Sequence, residues 1–286
     1  METTRLTIRP LQPEEMSLAL EWAAAEGWNP GLHDAEPFLA QDPQGFLIGL
    51  LDGNPIAIIS AVRYGAAFAF GGFYIVRPDC RGRGFGLQMR LAAIAQLAGR
   101  NVGLDGVLEQ QENYRRYGFK FAHRNVRYAG ESRAMPVVLP TQVKIATLTA
   151  LPFATLAAYD RSFFPEPREA FLRAWISQSQ TVALGLLEED ELRGYGVLRA
   201  CRQGYKIGPL FADTPALAET LFNALCSSLP AGAAIFLDVP ECNAAAVALA
   251  KRHGMTQVFE TARMYSGEAP DIALDRTYGI TSYELG

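Results

Sequence analysis

A glycine-rich, basic stretch decides the fold of this chain: Val76-Arg77-Pro78-Asp79-Cys80-Arg81-Gly82-Arg83-Gly84-Phe85-Gly86. The apolar run before it, residues 68–76, predicts a β-strand, and the pattern after it predicts an amphipathic helix. Glycines let the backbone take positive φ and approach phosphate oxygens closely. The free N–H groups and the dipole at a helix start favour an anion, and Arg81 and Arg83 add positive charge. The stretch therefore predicts a site for the pyrophosphate of a nucleotide-like cofactor.

Three phosphate-binding patterns compete for this stretch. A P-loop needs Lys-Ser or Lys-Thr after its last glycine, and neither follows here. The dinucleotide fingerprint Gly-x-Gly-x-x-Gly fails because the third glycine comes one place early and Leu87 stands in its position. The remaining pattern, Arg/Gln-x-x-Gly-x-Gly/Ala, is met by Arg81, Gly84 and Gly86. That pattern is the acetyl-CoA motif of the GNAT N-acetyltransferase superfamily, which the segment resembles closely.

The length and composition of the chain limit the number of domains and the classes of protein to which it can belong. The chain has 286 residues, enough for two domains, and its net charge of −4 argues against a general nucleic-acid binder. The four cysteines, Cys80, Cys201, Cys226 and Cys242, lie far apart without metal-ligand spacing, so we expect reduced thiols in a cytoplasmic protein and no metal. Residues 1–10 have no apolar core of a signal peptide, and no apolar run approaches the roughly 20 residues of a membrane span.

The order of predicted secondary structure occurs twice. In the first half, we predict strands at residues 3–9, 46–51, 55–64, 68–76, 101–104, 119–122 and 124–128, and helices at 14–25, 87–98 and 110–117. A linker is predicted at residues 130–140. In the second half, we predict strands at 143–148, 181–187, 192–201, 206–211, 233–239 and 255–265, and helices at 151–159, 169–177, 215–227 and 244–253.

This order is similar to the GNAT fold used twice. The resemblance implies an α/β protein of the α+β type with tandem GNAT folds, each a mixed, mostly antiparallel central sheet flanked by helices. We expect an N-terminal acetyltransferase domain over residues 1–132 and a C-terminal GNAT-like domain over residues 141–286.

The helix after the glycine-rich stretch has an apolar stripe that is predicted to face the core. The stripe is formed by Leu87, Leu91, Ile94, Ala95 and Ala98.

A second motif lies near the end of the first half and reads Tyr114-Arg115-Arg116-Tyr117-Gly118-Phe119. It resembles the Tyr-x-x-x-Gly-Phe ending of the late helix in GNAT proteins. The resemblance implies that Tyr114 is the general acid that protonates the departing CoA thiolate, a task that suits a phenol because it is a neutral donor at pH 7. The alternative is that Tyr114 only packs or hydrogen-bonds. Tyr117 is expected to pack in the core beside the cofactor.

The two halves differ where the chemistry is expected. The second half has Ala212-Asp213-Thr214-Pro215-Ala216-Leu217 after its corresponding strand, with no glycine pair and no arginine. Asp213 would repel a phosphate, whereas Thr214 and Pro215 suit the N-cap and first position of a helix. Ala250 stands where the first half has Tyr114, and alanine cannot donate a proton. We therefore expect the C-terminal domain to be degenerate, with a role in substrate specificity or structure.

The resemblance implies direct transfer of an acetyl group from acetyl-CoA to an amine. The pantetheine arm would lie along the end of strand 68–76, and the backbone N–H of Val76 would donate to the thioester oxygen as it gains charge. The implied cofactor-binding residues are Tyr74, Ile75, Val76, Arg81, Gly82, Arg83, Gly84, Phe85, Gly86, Leu87, Asn113 and Tyr117.

An amine near pKa 10 must lose a proton before it attacks, and a carboxylate commonly takes it. Glu109 is the candidate base, with Glu112 beside it, although both also suit a solvated surface charge. His33 and His123 are further possibilities. Glu26 lies in a segment that is expected to wall the acceptor site.

The acceptor site is expected between the early helices and the second half. Trp28 is the candidate substrate residue beside Glu26, and Trp22 and Tyr74 are further candidates for the lining. The acidic chain slightly favours a cationic acceptor, which leaves a small-molecule amine and a protein lysine open. No nucleic-acid or membrane partner is expected, and the chain is expected to be a monomer or a homodimer.

Two other functions compete with an acetyltransferase. A non-catalytic acyl-CoA-binding regulatory protein would keep the stretch at residues 81–86 without needing Tyr114. A nicotinamide or flavin enzyme would use the glycines as a dinucleotide loop, against which the spacing argues.

Overall fold

A computed structural model describes residues 6–133, 137, 139 and 141–286 of the chain. The first half contains β1 (Leu6–Pro10), α1 (Met16–Ala25), α2 (Ala35–Gln41), β2 (Phe46–Leu51), β3 (Asn54–Tyr64), β4 (Phe68–Val76), α3 (Phe85–Gln96), β5 (Asn101–Val107), α4 (Gln111–Arg116) and β6 (Lys120–Glu131). The second contains β7 (Val143–Thr147), α5 (Phe153–Asp160), α6 (Glu169–Ile176), β8 (Thr181–Glu188), β9 (Glu191–Ala200), β10 (Tyr205–Ala212), α7 (Pro215–Cys226), β11 (Ala234–Pro240), α8 (Ala244–Arg252), β12 (Thr256–Tyr265) and β13 (Thr277–Gly279).

The strands of both halves form one continuous sheet. Its order is β1-β2-β3-β4-β5-β12-β6-β11-β10-β9-β8-β7, with β13 paired to β10. All pairs along this order are antiparallel except β4 with β5 and β10 with β11, which are parallel. Helices flank the sheet, so the mixed, mostly antiparallel architecture expected from the sequence is confirmed.

Within this sheet, the last long strand of each half pairs with a strand of the other half. β12 pairs with β5 from Thr261↔Val107 to Tyr265↔Gly103. β6 pairs with β11 from Ala234↔Glu131 to Pro240↔Asn125, and β6 and β12 pair with each other. The prediction of two strands at residues 119–122 and 124–128 is therefore wrong. One strand fills this region because its expected hairpin partner is supplied by the second half.

A shared aromatic core joins the halves. Phe38 on α2 stacks on Trp175 of α6 with ring centroids 6.0 Å apart, and Phe73 packs edge-on against Phe38 at 5.9 Å. All three side chains are 1 % exposed or less. Burying large aromatic side chains contributes several kcal/mol each to folding. The two halves therefore stabilise each other.

Helix α3 packs on the sheet through a different face from the predicted one. Leu87, Leu91 and Ile94 are 48 %, 56 % and 47 % exposed, so the prediction that their stripe faces the core is wrong. The buried face carries residues spaced four apart, Phe85, Met89, Ala93 and Leu97. Both series have helical spacing, and the periodicity alone does not show which one meets β3.

Most other predicted elements are confirmed within one or two residues. The predicted cap of α7 is also confirmed, because Thr214 Oγ1 accepts a hydrogen bond from the Leu217 N–H at 3.3 Å. Helix α2 is short and contains Pro37, and the sequence analysis did not predict it. Residues 3–5 of the predicted first strand and residues 134–136, 138 and 140 of the predicted linker lie outside the described residues. No helix in the described part of the chain is long and apolar enough to cross a bilayer.

Candidate active site

A cleft opens where β4 and β5 separate. Their parallel pairing runs from Phe68↔Asn101 to Gly71↔Leu104 and then ends. Beyond Leu104, β5 continues with β12, while β4 has an irregular register beside Phe73, whose φ is +45°. Positive φ is unfavourable by about 1–3 kcal/mol for a residue with a side chain, so the surrounding structure holds this bend in place. A cavity of about 860 Å³ occupies the cleft.

The edge of β4 that faces the cleft has backbone groups available to a ligand. The Arg77 N–H donates to the Ile56 carbonyl on β3 at 2.9 Å. Because N–H groups alternate along a strand, the N–H of Val76 points to the opposite, open side, and so does that of Tyr74. The Val76 carbonyl accepts a hydrogen bond from Arg81 Nε at 2.8 Å. An extended ligand chain can therefore pair with this edge.

The glycine-rich loop adopts a conformation that suits an anion. Gly82 and Gly84 have φ of +74° and +83°, where side chains are unfavourable. Gly84 is the N-cap of α3 and provides no side-chain cap, so the first N–H groups of the helix stay available. A Cβ at Gly86 would lie 2.7 Å from the Tyr74 hydroxyl, so glycine permits the close approach of α3 to β4. Arg81 also forms an ion pair with Glu26 at the rim.

Tyr114 lies partly buried across the cleft, on α4. A Cβ at Gly106 would lie 2.6 Å from Tyr114 Cε2, so a glycine on β5 makes room for the ring, and Phe119 packs edge-on against it. Burial raises the pKa of Tyr114 to about 12; the nearby Tyr74 adds to this and the charge of Arg90 opposes it. Within the described residues its hydroxyl has no hydrogen-bond partner. The phenol is therefore protonated at neutral pH and available to a ligand.

Arg90 is a cavity residue that the sequence analysis did not single out. It is 9 % exposed, its Nε has no hydrogen-bond partner in the described part of the chain, and its guanidinium lies 3.1 Å from the centre of the Tyr117 ring. Tyr117 is 48 % exposed, so the expectation that it packs in the core is wrong. Its ring instead covers Arg90 at the edge of the cleft.

The cavity brings together most of the predicted site residues, but not all. The predicted residues that line it are Tyr74, Ile75, Val76, Arg81, Gly82, Gly86, Tyr114, Tyr117, Glu109, Glu26 and Trp28. The predicted residues outside its lining are Arg83, Gly84, Phe85, Leu87 and Asn113. The Asn113 amide donates to Gln110 Oε1 at 3.2 Å. Trp22 packs against the core of α1 and α2 and does not line the cavity.

The candidate bases occupy different surroundings. Glu109 is exposed at the rim of the cavity, whereas Glu112 is paired with Arg115 and does not line it. His33 and His123 also lie outside the lining. Burial, together with the nearby charge of Arg263, lowers the pKa of His123 to about 3. At neutral pH His123 is therefore an uncharged buried side chain away from the cleft.

The segment of residues 280–286 reaches the cavity from the second half, which the sequence analysis missed. The whole segment is buried, and Tyr283 and Glu284 line the cavity. The Tyr283 hydroxyl donates to the Asn125 carbonyl at 3.3 Å, and the Leu285 carbonyl accepts from the Tyr64 hydroxyl at 3.0 Å. The wall of the cavity is therefore formed by residues of both halves.

The loop that carries Trp28 is held by β6 of the first half and by residues of the second half. Arg127 Nη1 donates to the Trp28 carbonyl at 2.7 Å, and the buried Lys206 Nζ donates to the Asn29 carbonyl at 3.0 Å. The Asn29 side chain also exchanges two hydrogen bonds with the backbone of Gln203, at 2.9 and 3.0 Å. These contacts, of which those from Arg127 and Lys206 are charge-assisted, fix the wall of the cavity beside Glu26.

The corresponding place in the second half is closed by its own side chains. Asp213 accepts hydrogen bonds from Arg276 Nη2 at 2.6 Å and from the Tyr159 hydroxyl at 2.7 Å. Ala250 is fully buried in the second hydrophobic core. None of these residues lines the 860 Å³ cavity. Within the described ranges, no cluster of His, Cys, Asp and Glu has the arrangement of a metal site.

Comparison with known proteins agrees with this architecture. The profile of the acetyltransferase (GNAT) family matches residues 12–119, and that of an acetyltransferase (GNAT) domain matches residues 156–279. A holothin acyltransferase from Pseudoalteromonas sp. (strain SANK 73390) is 33 % identical over 280 residues, which cover 98 % of this chain and 94 % of that protein.

Two solved structures share the fold over most of the chain. A putative acetyltransferase from Pyrococcus horikoshii has a TM-score of 0.81 at 24 % identity, over 100 % of this chain and 98 % of that one. A tandem GNAT protein from the clavulanic acid biosynthesis pathway has a TM-score of 0.66 at 14 % identity, over 93 % and 100 %.

The chain belongs to the GNAT family. It is an acyltransferase built from two GNAT folds within one polypeptide, which confirms the resemblance drawn from residues 76–86 and 114–119.

Proposed function

We propose that this acyltransferase moves the acetyl group of acetyl-CoA directly to an amine. The observation that carries the proposal is that one cavity joins the glycine-rich loop, the open edge of β4 and the Tyr114 hydroxyl. These are the parts needed to hold a diphosphate, a pantetheine arm and a leaving thiolate. The residues of the loop and the edge therefore fit acetyl-CoA.

The donor would lie along β4. The pyrophosphate would accept hydrogen bonds from the N–H groups of the loop and the first turn of α3, with Arg81 and Arg83 nearby. The pantetheine amides would pair with the open edge near Ile75. The N–H of Val76 would donate to the thioester oxygen as negative charge develops on it, with the N–H of Tyr74 on the same side.

Tyr114 would donate its proton to the sulfur as the carbon–sulfur bond breaks. Its pKa of about 12 keeps the phenol protonated at pH 7. A thiol of pKa about 8.5 is a stronger acid than this phenol, so Tyr114 alone would leave much negative charge on sulfur. The guanidinium of Arg90, which has no ion-pair partner within the described residues, would stabilise that charge.

The acceptor would enter between Trp28, Glu26 and the segment of residues 280–286. Since the second half holds this wall, it would set the shape of the acceptor site while binding no cofactor itself. The acceptor is either a small-molecule amine or a protein lysine. Holothin is the first compound to test, because a relative 33 % identical over nearly the full chain is named a holothin acyltransferase.

The test is a transfer assay with the purified protein. Acetyl-CoA is mixed in turn with holothin, an aliphatic diamine, an aminoglycoside and a lysine peptide, and mass spectrometry follows the acetylated products while a thiol reagent follows free CoA. We expect one acceptor class to yield product and CoA in equal amounts. Tight acetyl-CoA binding with no product from any acceptor would favour the alternative, a non-catalytic acyl-CoA-binding regulator.

A further inference from the structure

One carboxyl group in the cavity lacks the partners that the other buried carboxylates have. Glu284 is 3 % exposed, and its Oε1 has no hydrogen-bond partner in the described part of the chain. Buried polar groups without partners are rare and often mark functional sites. The comparable buried aspartates each pair with an arginine, as Asp34–Arg199, Asp105–Arg263, Asp160–Arg168 and Asp238–Arg127.

Glu284 lies against the acyl end of the cleft. A Cβ at Gly72 would lie 2.5 Å from the Glu284 carbonyl oxygen and 3.0 Å from Ser60 Oγ, so only glycine lets the segment approach β4 this closely. Gly72 comes two residues before Tyr74 on that strand, which at about 3.3 Å per residue is about 7 Å. Glu284 lines the same cavity as Tyr74 and Val76. The glycine-rich loop lies at the other end of the edge.

The charges that face Glu284 come from four elements. Burial raises the pKa of its carboxyl group, and the positive charge of Lys206 on β10 opposes this most. Asp34, just before α2, adds to the rise, whereas Arg127 on β6 and Arg199 on β9 oppose it. No ion pair joins Glu284 to any of these cations within the described residues. A carboxylate with a raised pKa accepts a proton from an amine more readily than an exposed one does.

We propose that Glu284 is the general base of the transfer reaction, and this proposal rests on the proposed function. The carboxylate of Glu284 takes a proton from the acceptor nitrogen as that nitrogen bonds to the acetyl carbon. The carbon–sulfur bond breaks, its electron pair stays on sulfur, and Tyr114 donates a proton there. Glu284 then releases its proton to solvent and Tyr114 regains one, so the reaction yields the amide and CoA with no other reagent.

The experiment compares Glu284→Gln and Glu284→Asp with the control Glu241→Gln, an exposed glutamate outside the cavity lining, using the acceptor that the wild type acetylates fastest. Glu109→Gln is measured beside them as the competing base candidate. We expect Glu284→Gln to bind acetyl-CoA within twofold of the wild type by calorimetry and to lose about 100-fold or more in kcat. The acidic limb of its pH profile for kcat/KM should vanish. Glu284→Asp should recover part of the rate, and Glu241→Gln should stay near the wild-type rate.

Different failures have different meanings. A wild type that acetylates no acceptor would overturn the proposed function and the base together. A wild type that turns over, with Glu284→Gln equally fast, would overturn the base alone, and a slow Glu109→Gln would then assign it to Glu109. Loss of acetyl-CoA binding or of folding in both Glu284 variants would make the residue structural and would also overturn the proposal.

Discussion

The guanidinium of Arg127 and the carboxylate of Asp238 form a buried ion pair between β6 of the first half and β11 of the second. Nε and Nη2 donate to the two carboxylate oxygens at 2.6 and 2.8 Å, and both side chains are 3 % exposed or less. Burial acts to raise the pKa of Asp238, but the attraction and hydrogen bonds of Arg127 outweigh it and lower that pKa. Arg127 also donates to the carbonyl of Trp28, so the ion pair lies beside the part of the cavity wall that Trp28 forms.

Replacing Asp238 should destabilise the fold. Asp238→Asn leaves a buried guanidinium without its counter-charge, which typically destabilises a protein by about 3–5 kcal/mol. Urea unfolding measures this loss. The control is Glu112→Gln, which breaks the exposed pair with Arg115 and should reduce stability by about 1 kcal/mol or less. Equal small losses in the two variants would contradict the importance of the buried pair.

Removing the Tyr114 hydroxyl should slow transfer without weakening cofactor binding. A general acid contributes about 100-fold or more to a rate, so Tyr114→Phe should lower kcat by that order while the acetyl-CoA Kd stays within a few-fold. Stopped-flow or steady-state assay of CoA release gives kcat, and calorimetry gives Kd. Tyr205→Phe, in the second half and outside the cavity lining, is the matched control. Full activity of Tyr114→Phe would show that Tyr114 is not the general acid.

Alanine substitutions at two glycines with similar positive φ should distinguish an effect on cofactor binding from an effect on stability. Gly84 in the loop and Gly53 in the turn between β2 and β3 have φ of +83° and +79°, and a Cβ at either would meet no neighbouring atom. Alanine at either position should reduce stability by a similar amount, about 1–2 kcal/mol. Only Gly84→Ala should weaken acetyl-CoA binding, by about tenfold or more, because it alters the N–H groups that would face the pyrophosphate under the proposed function. Matching Kd values for the two variants would argue against the loop as the pyrophosphate site.

Acid should destabilise the protein in part through His123. Its folded-state pKa of about 3 lies below the ordinary value of 6.5, so the unfolded chain binds the proton more readily and stability falls as pH drops from 6.5 towards 3. Between pH 6.5 and pH 4 this amounts to roughly 3 kcal/mol. Urea midpoints across this range should fall less steeply for His123→Gln than for the wild type. An unchanged slope would show that His123 does not titrate in this way.

The conformation of the glycine-rich stretch could be predicted because it depends on neighbouring residues in the sequence. Positive φ at Gly82 and Gly84, the exposed charge of Arg81 and the following helix are all set within a few residues, and the sequence displays them directly. The order of strands and helices follows from apolar periodicity for the same reason. The loop at Asp213 and Thr214 could be predicted for the same reason, because a helix N-cap and the lack of glycines distinguish it from the stretch at residues 81–86.

The parts that the sequence did not reveal depend on contacts between distant residues. β6 and β12 have similar strand patterns, and nothing local tells which sheet edge each one joins. The burial of Glu284 arises because Gly72, more than two hundred residues earlier, leaves room for it. Leu91 looked like a core residue because α3 is apolar on more than one face, and only the packing on β3 identifies the buried one.

Calorimetric titration with acetyl-CoA tests the central claim, that the first half alone carries a working cofactor site. Wild type and the double variant Arg81→Ala/Gly84→Val are titrated side by side, with NAD as a second ligand for the wild type. The account predicts one acetyl-CoA per chain, no binding by the double variant and no binding of NAD. Two acetyl-CoA molecules per chain, or binding that survives the double substitution, would contradict it.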